Sequence, residues 1–308
     1  MKLIIRNFLF IILVCTLITV TGCTNMGEAN ESAQNNNNEQ VDEQSQIRTA
    51  EFEKLIENNS KPMELYQYID EHLEELSKND LSKILIQLED QMLLQLANYN
   101  DELKNTDIQS YINEIFDEDH QLMIEEVQDE SIKEMLSEIQ GNGYQIKGSK
   151  ETFILKIDYT LMEKYIGKTN NEISDYIAIK ALESKQGYEE NFTLTISWDE
   201  LSNRVALSEL FINSYPESIR SDAIERIYLN YLIPYLKGLP NTTVYNPDSN
   251  QYNQQLLDNY LSYIDKYPET RTSQILNDYM IKLEESDYIY TQEVEQYLDT
   301  ILMQYLSG

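Results

Sequence analysis

The sequence predicts a mainly all-α protein with an N-terminal helical bundle, a small β-hairpin and C-terminal αα-hairpin repeats. Three observations lead to this fold class. From residue 49 onward, apolar residues recur mostly every three or four positions, as they do on one face of a helix. Strand-like sequence is confined to one short stretch, and a helix-turn-helix pattern occurs twice, 52 residues apart. With 308 residues, 41% of them hydrophobic, the chain is long enough to bury a core.

Residues 1–22 have the three regions of a signal peptide. Lys2 and Arg6 provide a positive start, and an apolar run from Phe8 to Val20 follows. The run ends in Val20-Thr21-Gly22-Cys23, which resembles the lipobox of bacterial lipoproteins. The resemblance implies a diacylglyceryl group on the Cys23 thiol, cleavage before this residue and often acylation of the new amino group. Acyl chains such as palmitate would then anchor the protein on the extracytoplasmic side of the cell membrane.

An uncleaved transmembrane helix is the alternative interpretation of the same segment. The apolar run is barely as long as the roughly 20 residues that a span needs. The other cysteine of the chain, Cys15, lies inside this run. On the lipoprotein interpretation, the mature chain therefore has no unmodified cysteine for a disulfide, a metal site or a thiol nucleophile.

The chain is strongly acidic, with 54 Asp and Glu against 23 Lys and Arg and a formal net charge of −31. Loss of the signal peptide removes Lys2 and Arg6 and makes the mature chain two units more negative. Because such a surface repels phosphate groups, we expect no nucleic-acid partner. The charge favours basic protein partners and weak binding of divalent cations.

Residues 23–48 contain almost no apolar side chains and include a run of asparagines at 35–38. Such a composition cannot offset the entropy of ordering. We therefore expect a disordered tether that holds the folded part away from the membrane.

Residues 49–142 are predicted to form the helical bundle. Pro62 fits the first turn of one helix, where its missing N–H costs nothing. A long amphipathic helix is predicted over about 80–104, and two further helices over about 107–117 and 120–140. Gly141 and Gly143 suit the end of the last one.

Residues 143–158 change character and predict a β-hairpin. Tyr144-Gln145-Ile146 and Phe153–Ile157 are apolar stretches on either side of a Lys-Gly-Ser-Lys turn. Because an isolated hairpin is marginally stable, this one is expected to pack on helices. It marks the boundary between two subdomains.

Residues 159–308 are predicted to form a C-terminal helical domain. Helices are expected around 160–167 and 170–185. Ser197 and Glu200 then have the spacing of a capping box at the start of a third helix.

The later part of this domain contains an internal repeat. Residues 212–218, Ile-Asn-Ser-Tyr-Pro-Glu-Ser, return at 264–270 as Ile-Asp-Lys-Tyr-Pro-Glu-Thr. In each copy an apolar helix ends at Tyr-Pro, and Ser218 or Thr270 is expected to cap the next helix. Over about 198–286 the pattern resembles the tetratricopeptide-like repeats of bacterial envelope lipoproteins. The last helix of the chain would close the stack.

The sequence predicts no catalytic residue, no metal site and no cofactor. His72 and His120 are the only histidines, and neither belongs to a spaced ligand set. The nine glycines leave no nucleotide-binding loop. Residues 246–252 carry oxygen ligands at alternate positions, but Gln251 and Leu257 stand where a calcium loop needs glycine and a bidentate glutamate.

The 23 tyrosines are the compositional feature that bears most on binding. Many lie on the apolar helix faces, where core packing with the hydroxyl reaching water is the first interpretation. The alternative is a groove, in which tyrosines anchor a peptide or a polysaccharide on the concave face of the repeats. The candidate binding residues on this hypothesis are Tyr228, Tyr231, Tyr235, Tyr260 and Tyr263.

We therefore expect a lipid-anchored, extracytoplasmic and non-enzymatic interaction or scaffold module. It would contact the bilayer through Cys23 and an envelope protein or peptide through its folded part. A cell-envelope hydrolase that uses a pair of carboxylates is one alternative, so whether the protein is an enzyme stays open. The substrate-binding lipoprotein of a transporter is another, although that class usually needs two α/β lobes.

Overall fold

The computed structural model describes residues 28–105, 108–117, 122–148 and 153–306. Within these ranges the chain forms eleven α-helices and two small antiparallel β-hairpins. The predicted mainly all-α fold is therefore confirmed. No helix in the described ranges is both long and apolar enough to cross a bilayer.

The N-terminal unit consists of α1 (Glu28–Glu57), α2 (Pro62–His72), α3 (Lys78–Asn105), α4 (Ile112–Ile115), α5 (Glu130–Gly141) and a hairpin. Its core is formed by apolar side chains that recur at helical spacing, such as Leu81, Leu85 and Leu88 of α3. Helix α2 begins at Pro62, as the sequence predicts, and α3 covers the predicted long amphipathic helix.

Part of the predicted tether over 23–48 belongs to the folded unit, which corrects that expectation. Helix α1 begins at Glu28, while residues 23–27 lie outside the described part of the chain. Ser45 is fully buried; its hydroxyl donates to Asp80 over 2.6 Å and accepts the N–H of Ser77 over 2.8 Å. Because these contacts join polar groups, the spacing of apolar residues does not predict them.

The two helices predicted over 107–117 and 120–140 are shorter in the structure. The first is a 3₁₀ segment, Ile108–Tyr111, followed by the single turn of α4. The second is α5, which begins only after Asp129. The Asp129 side chain accepts the N–H groups of Ser131 and Ile132, and this cap sets the start of the helix.

The predicted hairpin is present as β1 (Tyr144–Gly148) and β2 (Phe153–Ile157), in a register that pairs Tyr144 with Ile157. Its turn falls outside the described residues. The hairpin contacts α3 and α5, and Ile146, Leu155 and Ile157 are buried in the core. The strands thus form one wall of the N-terminal unit.

The C-terminal unit begins with a 3₁₀ helix, Tyr159–Tyr165, and continues with α6 (Asn171–Lys185), β3 (Glu189–Glu190), β4 (Thr193–Leu194), α7 (Trp198–Ser214), α8 (Ser221–Lys237), α9 (Gln254–Lys266), α10 (Arg271–Glu285) and α11 (Gln292–Leu306). Ser197 caps α7 by accepting the N–H of Glu200, as predicted. The β3–β4 hairpin is too short to be seen in a sequence pattern. Each sheet in the described ranges has only two strands, so this part of the chain shows no α/β lobe of the kind that the substrate-binding lipoprotein of a transporter usually has.

The internal repeat recurs in the backbone. Tyr215 ends α7 with φ −132° and ψ 59°, and Tyr267 ends α9 with φ −129° and ψ 54°. Each donates its N–H to the carbonyl four residues earlier over 2.9 Å. The rings of Phe211 and Tyr215 lie 5.1 Å apart, as do those of Tyr263 and Tyr267. The two Tyr-Pro turns therefore have the same local structure.

The helices that follow these turns begin differently. Thr270 caps α10 by accepting the N–H of Ser273 over 3.2 Å, as predicted. Ser218 caps no helix, which corrects the expectation for the first copy, since α8 begins only at Ser221. The Ser218 hydroxyl accepts the Arg220 N–H and donates to Glu172 of α6 over 2.6 Å.

Two apolar cores lie side by side. The first fills the N-terminal unit and extends over α6 to Phe211 and Ile224, and the second fills α7 to α11. Ile212 and Ile227 pack against both cores. The start of the repeat unit is therefore attached to the bundle by apolar packing.

Candidate functional site

The five candidate binding tyrosines lie in the interior of the C-terminal unit. None is more than 2% exposed. They are Tyr228, Tyr231, Tyr235, Tyr260 and Tyr263. The structure therefore supports the core interpretation and corrects the groove hypothesis, because these rings present no surface to a ligand.

Their hydroxyl groups are bonded within the protein instead of reaching water. The Tyr231 hydroxyl donates to Glu183 over 2.6 Å, and the Tyr235 hydroxyl donates to Asn259 over 2.6 Å. The Tyr260 hydroxyl donates to the backbone carbonyl of Tyr235 over 2.7 Å. The tyrosines thus supply the internal hydrogen bonds of the repeat unit.

The other candidates from the sequence form no ligand set. Cys23 and His120 lie outside the described residues. His72 Nδ1 is 3.2 Å from a Glu75 oxygen, in an ordinary side-chain contact on the bundle. In the loop over 246–252 the Asn246 side chain accepts the N–H of Asp248. Within the described ranges no three His, Cys, Asp or Glu side chains come together as a metal site would require.

The best-formed candidate site is a cavity of about 280 Å³ between α3, β2, α6 and α8. We call it the Lys180 cavity. Its walls are mostly apolar and include Leu93, Leu155, Ile157 and Ile227. Leu93 is 45% exposed, so the cavity reaches the surface on the side of α3. An apolar recess with a few polar groups is the usual form of a small-molecule site.

Lys180 places an ammonium group in this cavity. Its Nζ lies 4.5 Å from the centroid of the Tyr159 ring and 6.0 Å from that of Tyr176. Burial lowers the pKa of Lys180; Glu89 and Glu183 oppose this change, and Arg220 adds to it. Lys180 makes no ion pair with any described residue. It is therefore a half-buried cation with no paired anion in the described part of the chain.

Behind the Tyr159 ring lies a buried polar cluster around Glu89, which is 3% exposed. Its carboxylate accepts the hydroxyls of Tyr159 and Tyr176, the latter over 2.5 Å, and pairs with Arg220 over 3.0 Å. Burial and the nearby carboxylate raise the pKa of both tyrosines far above their usual range. Both hydroxyls thus remain protonated donors, and Arg220 neutralises the Glu89 charge.

Glu183 is the carboxylate that lines the Lys180 cavity in the described structure. It already accepts the Tyr231 hydroxyl over 2.6 Å and the Arg204 guanidinium over 3.2 Å. A glycoside hydrolase needs a second carboxyl group facing the first across the substrate. The described lining of this cavity contains no such partner.

A second cavity of about 470 Å³ lies against α2 and the 3₁₀ helix that follows the hairpin. The Lys164 ammonium in it is already matched, because it pairs with Asp70 over 2.5 Å, and Asp70 also accepts the Tyr165 hydroxyl over 2.9 Å. The other carboxylate of the lining, Glu71, is exposed and accepts the side-chain amide of Gln67 over 2.9 Å. The Lys180 cavity, with its unmatched ammonium, is therefore the stronger candidate.

Sequence reasoning missed Lys180, although a signal was present. Ile173, Tyr176, Ile177 and Lys180 follow the spacing of the buried face of α6. A lysine on an apolar face indicates either a buried ion pair or a half-buried cation.

Comparison of the chain with protein-family models, with curated proteins and with solved structures finds no match. Support for a function therefore comes from the residues and the geometry of this chain.

Proposed function

We propose that this protein is an extracytoplasmic lipoprotein, held on the cell membrane by acyl groups at Cys23. It acts as a non-enzymatic interaction module that binds an envelope protein or peptide through its C-terminal repeats. The observation that carries the proposal is the recurrence of one Tyr-Pro turn in two consecutive helical hairpins. Repeated helical hairpins are a common architecture for binding other chains.

The two turns offer a defined surface for such a partner. Arg271, just after the second turn, pairs over 3.0 Å with Glu225 of α8, so the turns lie at the same end of the unit. The turn surface consists of Pro216, Glu217, Ile219, Pro268 and Glu269, all of which are exposed.

The chemistry of the turn surface favours a basic segment with an apolar side chain. Ile219 is 71% exposed, and Glu217 and Glu269 provide carboxylates in the two turns. The net charge of −31 would also attract a basic partner from a distance and speed its association. Anchoring near other envelope components raises the effective concentration of the module.

Membrane anchoring is tested by fractionation of cells that express Cys23→Ala, with Cys15→Ala as the matched control. We expect Cys23→Ala to abolish lipid attachment, while Cys15→Ala is processed and anchored as the unaltered protein is. If Cys23→Ala stayed in the membrane fraction with normal processing and a normal lipid mass, the lipoprotein proposal would be wrong.

Partner binding is tested by cross-linking in cells, affinity capture and mass spectrometry. The test variant is Glu217→Lys with Glu269→Lys, and the control is Glu57→Lys with Glu74→Lys, which makes the same charge change at exposed positions of the N-terminal unit. We expect one dominant envelope partner that the control retains and the test variant loses. Equal recovery from both variants would exclude the turn surface as the binding site.

A further inference from the structure

We propose that the Lys180 cavity binds a small amphipathic carboxylate, with the carboxylate on Nζ of Lys180 and the apolar part against Leu93, Leu155 and Ile157. This site lies between α3, β2, α6 and α8, and none of its lining residues belongs to the turn surface. It is a binding function separate from the protein interaction proposed above.

The arrangement of charges indicates an anionic ligand. Around the cavity, Glu89 pairs with Arg220, and Glu183 pairs with Arg204. Asp90 also lies 2.7 Å from Arg220, and it is 57% exposed, so that water solvates it. Lys180 is half-buried and has no carboxylate partner among the described residues, whereas the other unpaired cations nearby, Lys156 and Arg226, are exposed to water. A ligand carboxylate would provide the missing counterion.

The neighbouring oxygen atoms that could bind the Lys180 ammonium already take part in other hydrogen bonds. The Tyr159 hydroxyl donates its hydrogen bond to Glu89, and Lys180 Nζ lies over the face of the Tyr159 ring rather than beside its oxygen. Glu183 Oε1 accepts both Tyr231 and Arg204. Burial lowers the pKa of Lys180, and a bound carboxylate would offset that desolvation.

The walls and volume of the cavity indicate a small ligand with an apolar part. Leu155 and Ile157 are buried side chains of β2, and Leu93 borders the opening. The volume of about 280 Å³ lies just below the roughly 300–1,000 Å³ found for ligand pockets. A short aliphatic or a single-ring carboxylate fits this size.

The overall acidity of the chain restricts how such a ligand can bind. With a net charge of −31, the protein repels an anion at long range. Binding therefore depends on a partly desolvated contact with Lys180, where the attraction is stronger than in bulk water. Exposed lysines cannot substitute, because water and salt screen their attraction.

The test measures the fluorine NMR signal of para-fluorobenzoate added to the full-length, lipid-anchored protein in lipid nanodiscs. Empty nanodiscs provide the blank, and the neutral isostere para-fluorobenzamide tests the need for charge. The test variant is Lys180→Met, which keeps the chain length and removes the ammonium. The control is Lys168→Met, which removes an exposed lysine that does not line the cavity.

We expect the benzoate to bind and the benzamide to bind much more weakly. Lys180→Met should weaken benzoate binding by about tenfold or more, the loss that corresponds to one charge-assisted hydrogen bond. Lys168→Met should change binding by less than about twofold, because an exposed charge outside the cavity contributes little.

A second variant keeps the proposal testable if Lys180→Met does not fold. Leu93→Trp fills the opening of the cavity and leaves Lys180 in place, so it should abolish benzoate binding while circular dichroism shows an intact helical fold. The proposal is overturned if neither probe binds, if the benzamide binds as tightly as the benzoate, or if both Lys180→Met and Leu93→Trp bind benzoate normally.

Discussion

Glu89 of α3 and Arg220, immediately before α8, form an ion pair between the N-terminal bundle and the repeat unit. Their side-chain atoms are 3.0 Å apart, and the two side chains are only 4% and 14% exposed. Tyr159 and Tyr176 also donate their hydroxyls to Glu89. One buried carboxylate thus takes part in an ion pair and two hydrogen bonds at the contact between the two units.

We expect Glu89→Gln to lower the free energy of unfolding by about 3 kcal/mol, because removal of one partner leaves a buried charge uncompensated. Arg220 would keep its contact with Asp90, which is 57% exposed, and a hydrogen bond of 3.4 Å to the carbonyl of Ile86; its Nε already lacks a hydrogen-bond partner. Urea denaturation followed by circular dichroism measures the change.

Asp90→Asn is the matched control for this prediction, since it removes the other carboxylate that contacts Arg220. Asp90 is 57% exposed. Its loss should therefore cost less than about 1 kcal/mol. Equal losses in the two variants would show that burial of Glu89 does not determine the strength of its pairing.

A second buried carboxylate caps a helix from outside that helix. Glu209 of α7 is 1% exposed and accepts the N–H groups of Arg271 over 2.5 Å and Thr272 over 3.2 Å. These N–H groups begin α10, where the helix dipole is positive. We expect Glu209→Gln to cost about 1–3 kcal/mol, because the variant loses a charge-assisted hydrogen bond in the interior.

Hydrogen exchange gives a local measurement of the same effect. The amides of Arg271 and Thr272 should exchange faster in Glu209→Gln than in the unaltered protein. Glu269→Gln, at an exposed position of the preceding turn, should leave both exchange rates unchanged. Slow exchange in Glu209→Gln would mean that other contacts hold the start of α10.

Much of the fold could be predicted from the sequence, because apolar spacing determines which face of a helix is buried. It placed α2, α3 and the hairpin β1–β2, and it identified the repeat that ends in Tyr215 and Tyr267. Tyr-Pro turns could be recognised because proline and the preceding residue restrict the backbone locally.

Other features depend on contacts between distant residues, which no local pattern contains. The C-terminal half of α1 is held by polar contacts from Ser45 to Asp80 of α3 and from Arg48 to Glu75. Ser218 bonds to Glu172 of α6, and α8 consequently begins after the position that the repeat suggested. The Lys180 cavity likewise requires α3, β2 and α6 to meet, so its lining could not be assembled before the fold was known.

The buried tyrosines predict a steep loss of stability at alkaline pH. Burial raises the pKa of Tyr228 from 10.0 to about 12. Between these two values the folded protein keeps this proton and the unfolded chain releases it, so stability falls as the pH rises through that interval. Other buried tyrosines have pKa values raised in the same direction and add to the loss.

Absorbance of tyrosinate and far-ultraviolet circular dichroism, recorded together during an alkaline titration, test this prediction. The late part of the tyrosinate signal should appear together with the loss of helix, because buried hydroxyls ionise only on unfolding. Gradual ionisation of all tyrosines with the helical signal intact would show that they are accessible to hydroxide in the folded state.

Two glycines with positive φ values differ in what an added Cβ would meet. Gly238 follows α8 with φ +75°, and a Cβ there would lie 2.5 Å from the carbonyl oxygen of Thr242. Gly167 has φ +80°, but no atom lies within 4 Å of the Cβ that alanine would add. Both substitutions place alanine at a positive φ, at a cost of roughly 1–2 kcal/mol. Gly238 also has a ψ of −169°, a combination that is essentially restricted to glycine.

We therefore expect Gly167→Ala to lose about that amount of unfolding free energy and Gly238→Ala to lose clearly more. The carbonyl of Thr242 accepts the N–H of Leu239 over 2.9 Å, so the added methyl group must displace a hydrogen-bonded turn. Urea denaturation of the two variants gives the difference directly. Similar losses would mean that the turn after α8 moves aside freely, and the contact between Gly238 and Thr242 would then not be what requires glycine at this position.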